Sequence, residues 1–137
     1  RTPEDYVRKN LKAFINDAIL MPHPALPDTY NLTSSGFRKL KFFASFLKTY
    51  FESYWIVLDF FKQHSQNSIK PKDRLKKNDA IGHRMYKQKE IERKEALSRI
   101  NYRNGADFFT TNGVKGSDDY EKIEYYDDAI QRYNKYL

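Results

Sequence analysis

GFRKLKFFASFLKTYFESYWIVLDFF, Gly36–Phe61, holds ten of the 22 aromatic residues in a chain of 137. Leu40, Phe43, Leu47, Tyr50, Tyr54, Val57 or Leu58, and Phe61 recur at spacings of three and four, the period of a helix with a buried stripe. Phe42, Phe46, Phe51, Trp55, Ile56 and Phe60 widen that stripe until most of the circumference is apolar. Lys41, Ser45, Lys48, Glu52, Asp59 and Lys62 leave one narrow polar edge. Such a helix is expected to be enclosed by the rest of a mainly helical body. It could instead lie on a lipid surface. A span across a bilayer is disfavoured, because Lys48, Glu52 and Asp59 would each cost about 2.5–3.5 kcal/mol near the bilayer centre. Glu52 is expected either on the polar edge or paired with Lys48 one turn earlier.

Outward from that helix the punctuation is clear. Pro3 with Glu4 and Asp5 opens a first helix, since proline and acids suit a first turn. Tyr6, Val7, Leu11, Phe14, Ile15 and Ala18 make its apolar face. Pro22, Pro24 and Pro27 forbid more helix. Ala18–Met21 and Thr29–Leu32 are then expected to pair as a hairpin, placed like the wing of a winged-helix unit. Thr33 or Ser34 caps the aromatic helix, which is expected to begin at Ser35, break near Lys48–Thr49 and end by Gln63–Ser68.

Beyond it, Asp73–Gln88 is expected to be helical, with Leu75, Ala80, Ile81, Met85 and Tyr86 inward. Gly82 weakens that helix unless close packing requires it. A short helix over Lys94–Ile100 and another over Tyr102–Thr111 follow, the latter burying Tyr102, Ala106 and Phe109. Asn112-Gly113 stops it. A terminal helix capped by Ser117–Asp119 carries Ile123, Tyr126, Ile130, Tyr133 and Leu137. The expected fold class is thus mainly α: a small helical domain with a winged-helix-like hairpin near residues 18–33 and a long aromatic central helix. Residues 1–66, hairpin plus aromatic helix, and 67–137, a helical C-terminal subdomain, are its expected subdivisions, together forming one compact unit of a larger protein.

Net charge is +7, and its position says more than its size. Residues 70–94 carry ten basic and four acidic groups, while residues 95–137 are net acidic. Lys70, Lys72, Arg74, Lys76, Lys77, Arg84 and Lys87 are therefore the candidate face for phosphates or anionic lipid, against the commoner reading of a solvated helix side. Tyr86 is the one aromatic in that block, so the basic–aromatic interleaving of single-strand binders is missing. With no cysteine, disulfides and thiolate-bound metals are excluded and a cytoplasmic setting is expected, with a peripheral place at the inner face of the cell membrane as its alternative. His23, His64 and His83 lie far apart without a ligand-spaced companion, so neither metal nor cofactor is expected. Ser34, Ser35 and Ser98 lack a nucleophile-elbow setting and read as caps.

Two blocks carry a resemblance. YNLTSSGFRKLKFFASFLKTYFESYWIVLDFF (Tyr30–Phe61), with its YFESYW core at Tyr50–Trp55, is one. GHRMYKQKEIERKEALSRINYRNGADFFTTNGV (Gly82–Val114), with KEIERKEALSRIN at Lys89–Asn101, is the other. Together they resemble the C-terminal region of glycerol-3-phosphate acyltransferases, over roughly Leu11 to the end. The resemblance implies a parent enzyme that moves an acyl chain from acyl-CoA or acyl carrier protein to the sn-1 hydroxyl of glycerol 3-phosphate. Its catalytic motif is His-x-x-x-x-Asp, the histidine acting as general base and the acid orienting it. That spacing occurs here once, at His23–Asp28, but with two prolines inside it and none of the family's neighbouring residues, so it reads as a loop. Catalysis is expected in a domain N-terminal to Arg1, which is also the expected partner. An anionic membrane surface is a second expected partner. The alternative functions are a winged-helix nucleic-acid binder or a helical protein-interaction module.

Overall fold

The computed structural model describes residues 2–137. Among these, five α-helices and one two-stranded hairpin follow each other along the chain, in two compact units: the chain up to Ser45, and Phe46–Leu137.

In the first unit, α1 spans Pro3–Asn16 and opens as its composition requires. Thr2 and Asp5 form a reciprocal capping box, each side chain accepting the other's backbone N–H, with proline in the first turn. Its exit is a six-residue clasp: Ile19 N–H donates to Phe14 O at 2.8 Å and Ala18 N–H to Ile15 O at 3.0 Å, with Ala18 left-handed at φ +58°. That geometry delays the first strand. The hairpin is β1 Leu20–Pro22 against β2 Tyr30–Leu32, paired Leu20 to Leu32 and Pro22 to Tyr30, rather than starting at Ala18. His23 N–H adds one more bond, to Thr29 O at 2.7 Å, and the connecting turn places Asp28 at φ +54°.

α2 runs Ser34–Gln63 as one continuous helix. Thr33 caps it, its hydroxyl accepting from Gly36 N–H at 2.8 Å while donating to Ala18 O at 2.6 Å. The expected break at Lys48–Thr49 does not occur. Nor is the helix enclosed along its length. Phe37, Leu40, Phe42, Phe43, Phe46, Leu47 and Tyr50 are all exposed, Phe42 by 61%, whereas Ile56, Val57, Leu58, Phe60 and Phe61 are buried. The stripe is one sequence pattern with two fates.

The second unit holds the core. α3 (Pro71–Lys87) begins two residues earlier than the sequence reading, because Pro71 is a better first-turn residue than an interior one. Its buried stripe is Asn78, Ile81, Gly82 and Met85; Ala80 and Tyr86, expected inward, are exposed. Lys94–Ala96 is a single 3₁₀ turn rather than a short helix. Ser98 then caps α4 (Arg99–Thr111), accepting from Asn101 N–H at 3.3 Å, so this helix starts three residues before Tyr102. α5 spans Tyr120–Asn134 and buries Ile123 and Ile130. Leu137 lies beyond it, and Tyr133 is exposed. Asp119 ends the preceding turn through Lys115 N–H and Gly116 N–H, at 2.8 and 3.3 Å, and places no side-chain cap on α5.

Rings interlock at the centre: Phe109 lies edge-on to Phe61 and Tyr126, with centroids 6.2 and 5.3 Å away, and Tyr54 stands 6.0 Å from it. Two of the helix exits here repeat the clasp of α1. After α3, Glu90 N–H reaches Met85 O with Lys89 at φ +62°; after α4, Val114 N–H reaches Phe109 O with Gly113 at φ +89°. Val114, like Ile19 in the first unit, is then delivered into burial.

Candidate functional site

The polar interior of the second unit is not where the spacing of charges placed it. Glu52 is fully buried and does not pair with Lys48. Its two carboxylate oxygens accept Glu92 N–H and Arg93 N–H, each at 2.8 Å, while Lys48 pairs with Glu92 at 3.4 Å. The next residue, Ser53, donates to Ala96 O at 2.7 Å and accepts from Asn101 at 3.2 Å. These bonds satisfy the backbone of the irregular segment between α3 and α4 and fix it to α2, so the carboxylate is spent on structure. Trp55 and Lys62 both donate to Asp127, at 2.8 and 3.1 Å, tying α5 to the same helix.

The seven basic candidates separate into groups. Arg84 is spent on Asp59 at 2.8 Å. Arg74 donates to Gln66 O at 2.6 Å and Ile69 O at 3.1 Å, holding the turn that leads into α3. Lys70, Lys76 and Lys77 line one shallow depression together with Ser68, Ile69 and Asp73. Lys87 is the exposed last residue of α3. Lys72 and Arg74 line something different: a cavity of about 470 Å³.

That cavity opens between α3 and α4. Phe60, Pro71, Leu75 and Ala106 supply apolar wall, and Tyr102 and Asn78 are its buried polar members, 0% and 3% exposed. Asn78 Oδ1, Tyr102 OH and Gln66 Oε1, buried atoms of three lining residues, have no hydrogen-bond partner among the described residues. Lys72, Arg74, Arg99 and Arg103 put four cations in the lining against one carboxylate, Asp107. Burial, then the nearby Asp79 carboxylate, raise the Tyr102 phenol far above its ordinary pKa, so the hydroxyl stays a neutral donor. Gly82 is what lets it fit: a Cβ there would come within 2.5 Å of the Tyr102 hydroxyl and 2.8 Å of Leu97. The sequence reading missed Arg99 and Arg103 because they fall in the acidic last third, although four residues on one helix put them on one face. It missed Asn78 by treating polar residues of α3 as solvated.

His23 and Asp28 make no joint site. His23 Nδ1 accepts Ala25 N–H and Leu26 N–H, at 3.1 and 2.9 Å, and so organises its own turn. Asp28 lines a separate groove with Pro3, Val7, Arg8, Leu11 and Tyr30. His83 bonds Asp79 O at 2.7 Å, and His64 stacks on Phe60 with centroids 5.1 Å apart. No helix among the described residues is long and apolar enough to cross a membrane.

A mainly helical body with a small antiparallel hairpin and a buried-carboxylate anchor is the class defined so far. Residues 1–118 match the glycerol-3-phosphate acyltransferase C-terminal region, and the chain belongs to that family. It is accordingly part of a glycerol-3-phosphate acyltransferase. α5 lies beyond the matched residues. No curated protein and no solved structure matches the chain.

Proposed function

We propose that this chain is a non-catalytic docking domain of a glycerol-3-phosphate acyltransferase, and that its first unit packs on the catalytic portion of the same polypeptide. One observation carries the reading. In the first unit Ile19 is the only buried hydrophobic residue among those described, while Tyr6, Val7, Met21, Leu26, Leu32, Phe37, Phe42 and Phe43 are exposed. A unit of that size with no interior cannot offset its own conformational entropy. Clustered aromatics left in water mark a surface meant to be covered. Family membership supports the choice of occupant, since a C-terminal region of an acyltransferase has a catalytic portion to cover it. His23 supports the non-catalytic part of the reading, because its imidazole nitrogen is engaged by two backbone amides of its own loop.

The test is reconstitution. The catalytic portion and this chain, expressed separately, are expected to co-purify, and Phe37→Ser with Phe43→Ser to abolish the complex while leaving the helicity of the second unit intact. Retention of the complex by that double variant, or no complex with the wild-type chain, contradicts the reading.

A second reading concerns the membrane surface, which Lys70, Lys76 and Lys77 favour by sharing one exposed depression. We propose that they add attraction to anionic lipid, about 1 kcal/mol per cation near the surface and screened by salt. Co-sedimentation with phosphatidylserine vesicles that vanishes at high salt, and in the triple alanine variant, supports it. Preferential, steeply salt-dependent binding to a DNA duplex would instead support a winged-helix nucleic-acid role.

A further inference from the structure

The pair Asn-Gly occurs twice in the chain, at Asn104-Gly105 and Asn112-Gly113, both in the second unit. Such pairs modify themselves readily, because glycine has no side chain to hold its amide nitrogen off the side-chain carbonyl of the preceding asparagine. The fold treats the two copies differently. Gly105 is a buried interior residue of α4, where a Cβ would meet Tyr54 at 3.1 Å and Val57 at 3.3 Å. Its amide belongs to the helical ladder, so ring closure there requires breaking the middle of a packed helix. Asn112 is exposed and stands just past the last turn of α4. Its Nδ2 donates to Phe108 O at 2.7 Å, and Gly113 N–H donates to Thr110 O at 3.1 Å. Gly113 has φ +89°, with the Lys122 ammonium standing where a side chain would go, so glycine is required there. Each member of this labile pair therefore has a structural task, which keeps the two side by side.

From this we infer that Asn112 is a site of self-catalysed deamidation, and that its isoaspartyl product disables the clasp that closes α4. The Gly113 nitrogen attacks Asn112 Cγ, and the new N–C bond replaces the Cγ–Nδ2 bond. Nδ2 leaves as ammonia, taking up the equivalent of the proton lost from Gly113 N–H. One water then opens the cyclic imide. Opening at the side-chain carbonyl gives aspartate, and opening at the backbone carbonyl gives isoaspartate, with one more methylene in the main chain. Both hydrogen bonds of the pair must break first, so the reaction runs from a locally opened end of α4. The longer main chain cannot re-form the clasp, in which Val114 N–H reaches Phe109 O at 2.8 Å and Val114 is fully buried. The product exposes an isoaspartyl carboxylate, the chemical class that carboxyl methylation by S-adenosylmethionine-dependent repair enzymes consumes. The site lies wholly within the second unit, and the inference goes beyond the docking reading without resting on it.

The experiment is ageing of the whole chain at mildly alkaline pH, folded and in guanidinium chloride. Released ammonia is measured, and isoaspartate is counted by methyl transfer from S-adenosylmethionine with an isoaspartyl methyltransferase. The tryptic peptide of residues 104–115 carries both pairs, and electron-transfer fragmentation assigns the modified residue. In the folded chain, conversion at Asn112 is expected to outrun that at Asn104 by about tenfold or more, because a helix end opens far more often than a helix interior. In guanidinium chloride the two should convert at comparable rates. The isoaspartyl fraction should melt at a lower temperature than fresh protein. Asn112→Gln keeps an amide but would have to close a larger ring, so it should age without isoaspartate at this position and without that loss. An Asn112 that stays intact in the folded chain while the unfolded chain is converted overturns the inference. So do equal folded-state rates at Asn104 and Asn112, or an isoaspartyl form that melts like fresh protein.

Discussion

Both ends of α2 carry aromatic rings at helical spacing, and their surroundings are opposite. From Phe51 onward its rings meet α4 and α5: Phe61 and Tyr54 lie against Phe109, and Trp55 reaches Asp127. Before Ser45 its rings share a unit with one amphipathic helix and a hairpin of three residues per strand, and Phe37, Phe42 and Phe43 remain exposed. Helical propensity and aromatic content cannot account for the difference. What separates the halves is the supply of other elements to cover them, and the contrast teaches that an unusually apolar helix can be half core and half interface without any change of sequence pattern.

The largest effect expected from that contrast lies at Phe109. Phe109→Ala should cost about 3–5 kcal/mol in denaturant unfolding, whereas Phe43→Ala should stay within about 0.5 kcal/mol; comparable losses at both positions would break the contrast. Next comes Glu52→Ala, which strips two backbone N–H groups of their acceptor and should cost about 2–4 kcal/mol. Glu92→Ala, at the exposed end of the Lys48 pair, should cost below about 1 kcal/mol. Gly82→Ala should destabilise by about 1–3 kcal/mol through overpacking on Tyr102 and Leu97, with part of that loss recovered in combination with Tyr102→Phe. The smallest effects belong to the helix exits. Ala18→Gly in the first unit and Lys89→Gly in the second should each add up to about 1 kcal/mol of local stability, because both residues occupy left-handed backbone. Thermal melts should register only the second if the first unit melts apart from the core.

Alkaline pH offers a further probe of the second unit. Tyr102 has its phenol pKa raised on folding above the ordinary value of 10.0. The unfolded chain therefore loses this proton first, and stability is complete below pH 10 and declines above it. Tyr102→Phe should remove that share of the alkaline decline, as measured by denaturant midpoints at pH 9 and pH 11.

Much of the architecture was readable from residues alone. Pro3-Glu4-Asp5 located α1, Thr33 located the start of α2, and Asn112-Gly113 ended α4 because only a left-handed residue can close that clasp. Gly82 was recognisable as a place where packing could require glycine. The acyltransferase resemblance also rested on visible blocks, Tyr30–Phe61 and Gly82–Val114, both within the matched residues. Other features depended on tertiary structure. Glu52 looked like a partner for Lys48 because they stand four residues apart, yet two backbone amides forty residues away are better donors for a buried carboxylate. Enclosure of α2 could not be read from its own stripe, since periodicity reports which residues share a face and not what lies opposite. The cavity was invisible for a similar reason: Lys72, Asn78, Tyr102 and Arg103 come from two helices and two differently charged thirds of the chain.

Hydrogen exchange on this chain, alone and bound to the catalytic portion, probes the asymmetry most directly. Alone, amides of Ile56–Phe61 and Tyr102–Phe109 should open only with global unfolding, while those of Pro3–Phe43 exchange through low-energy local opening. Binding should then slow exchange chiefly across Leu20–Phe43. Equal protection of both stretches in the isolated chain, or no slowing of Leu20–Phe43 in the complex, would contradict a self-sufficient second unit joined to a first unit completed by its partner.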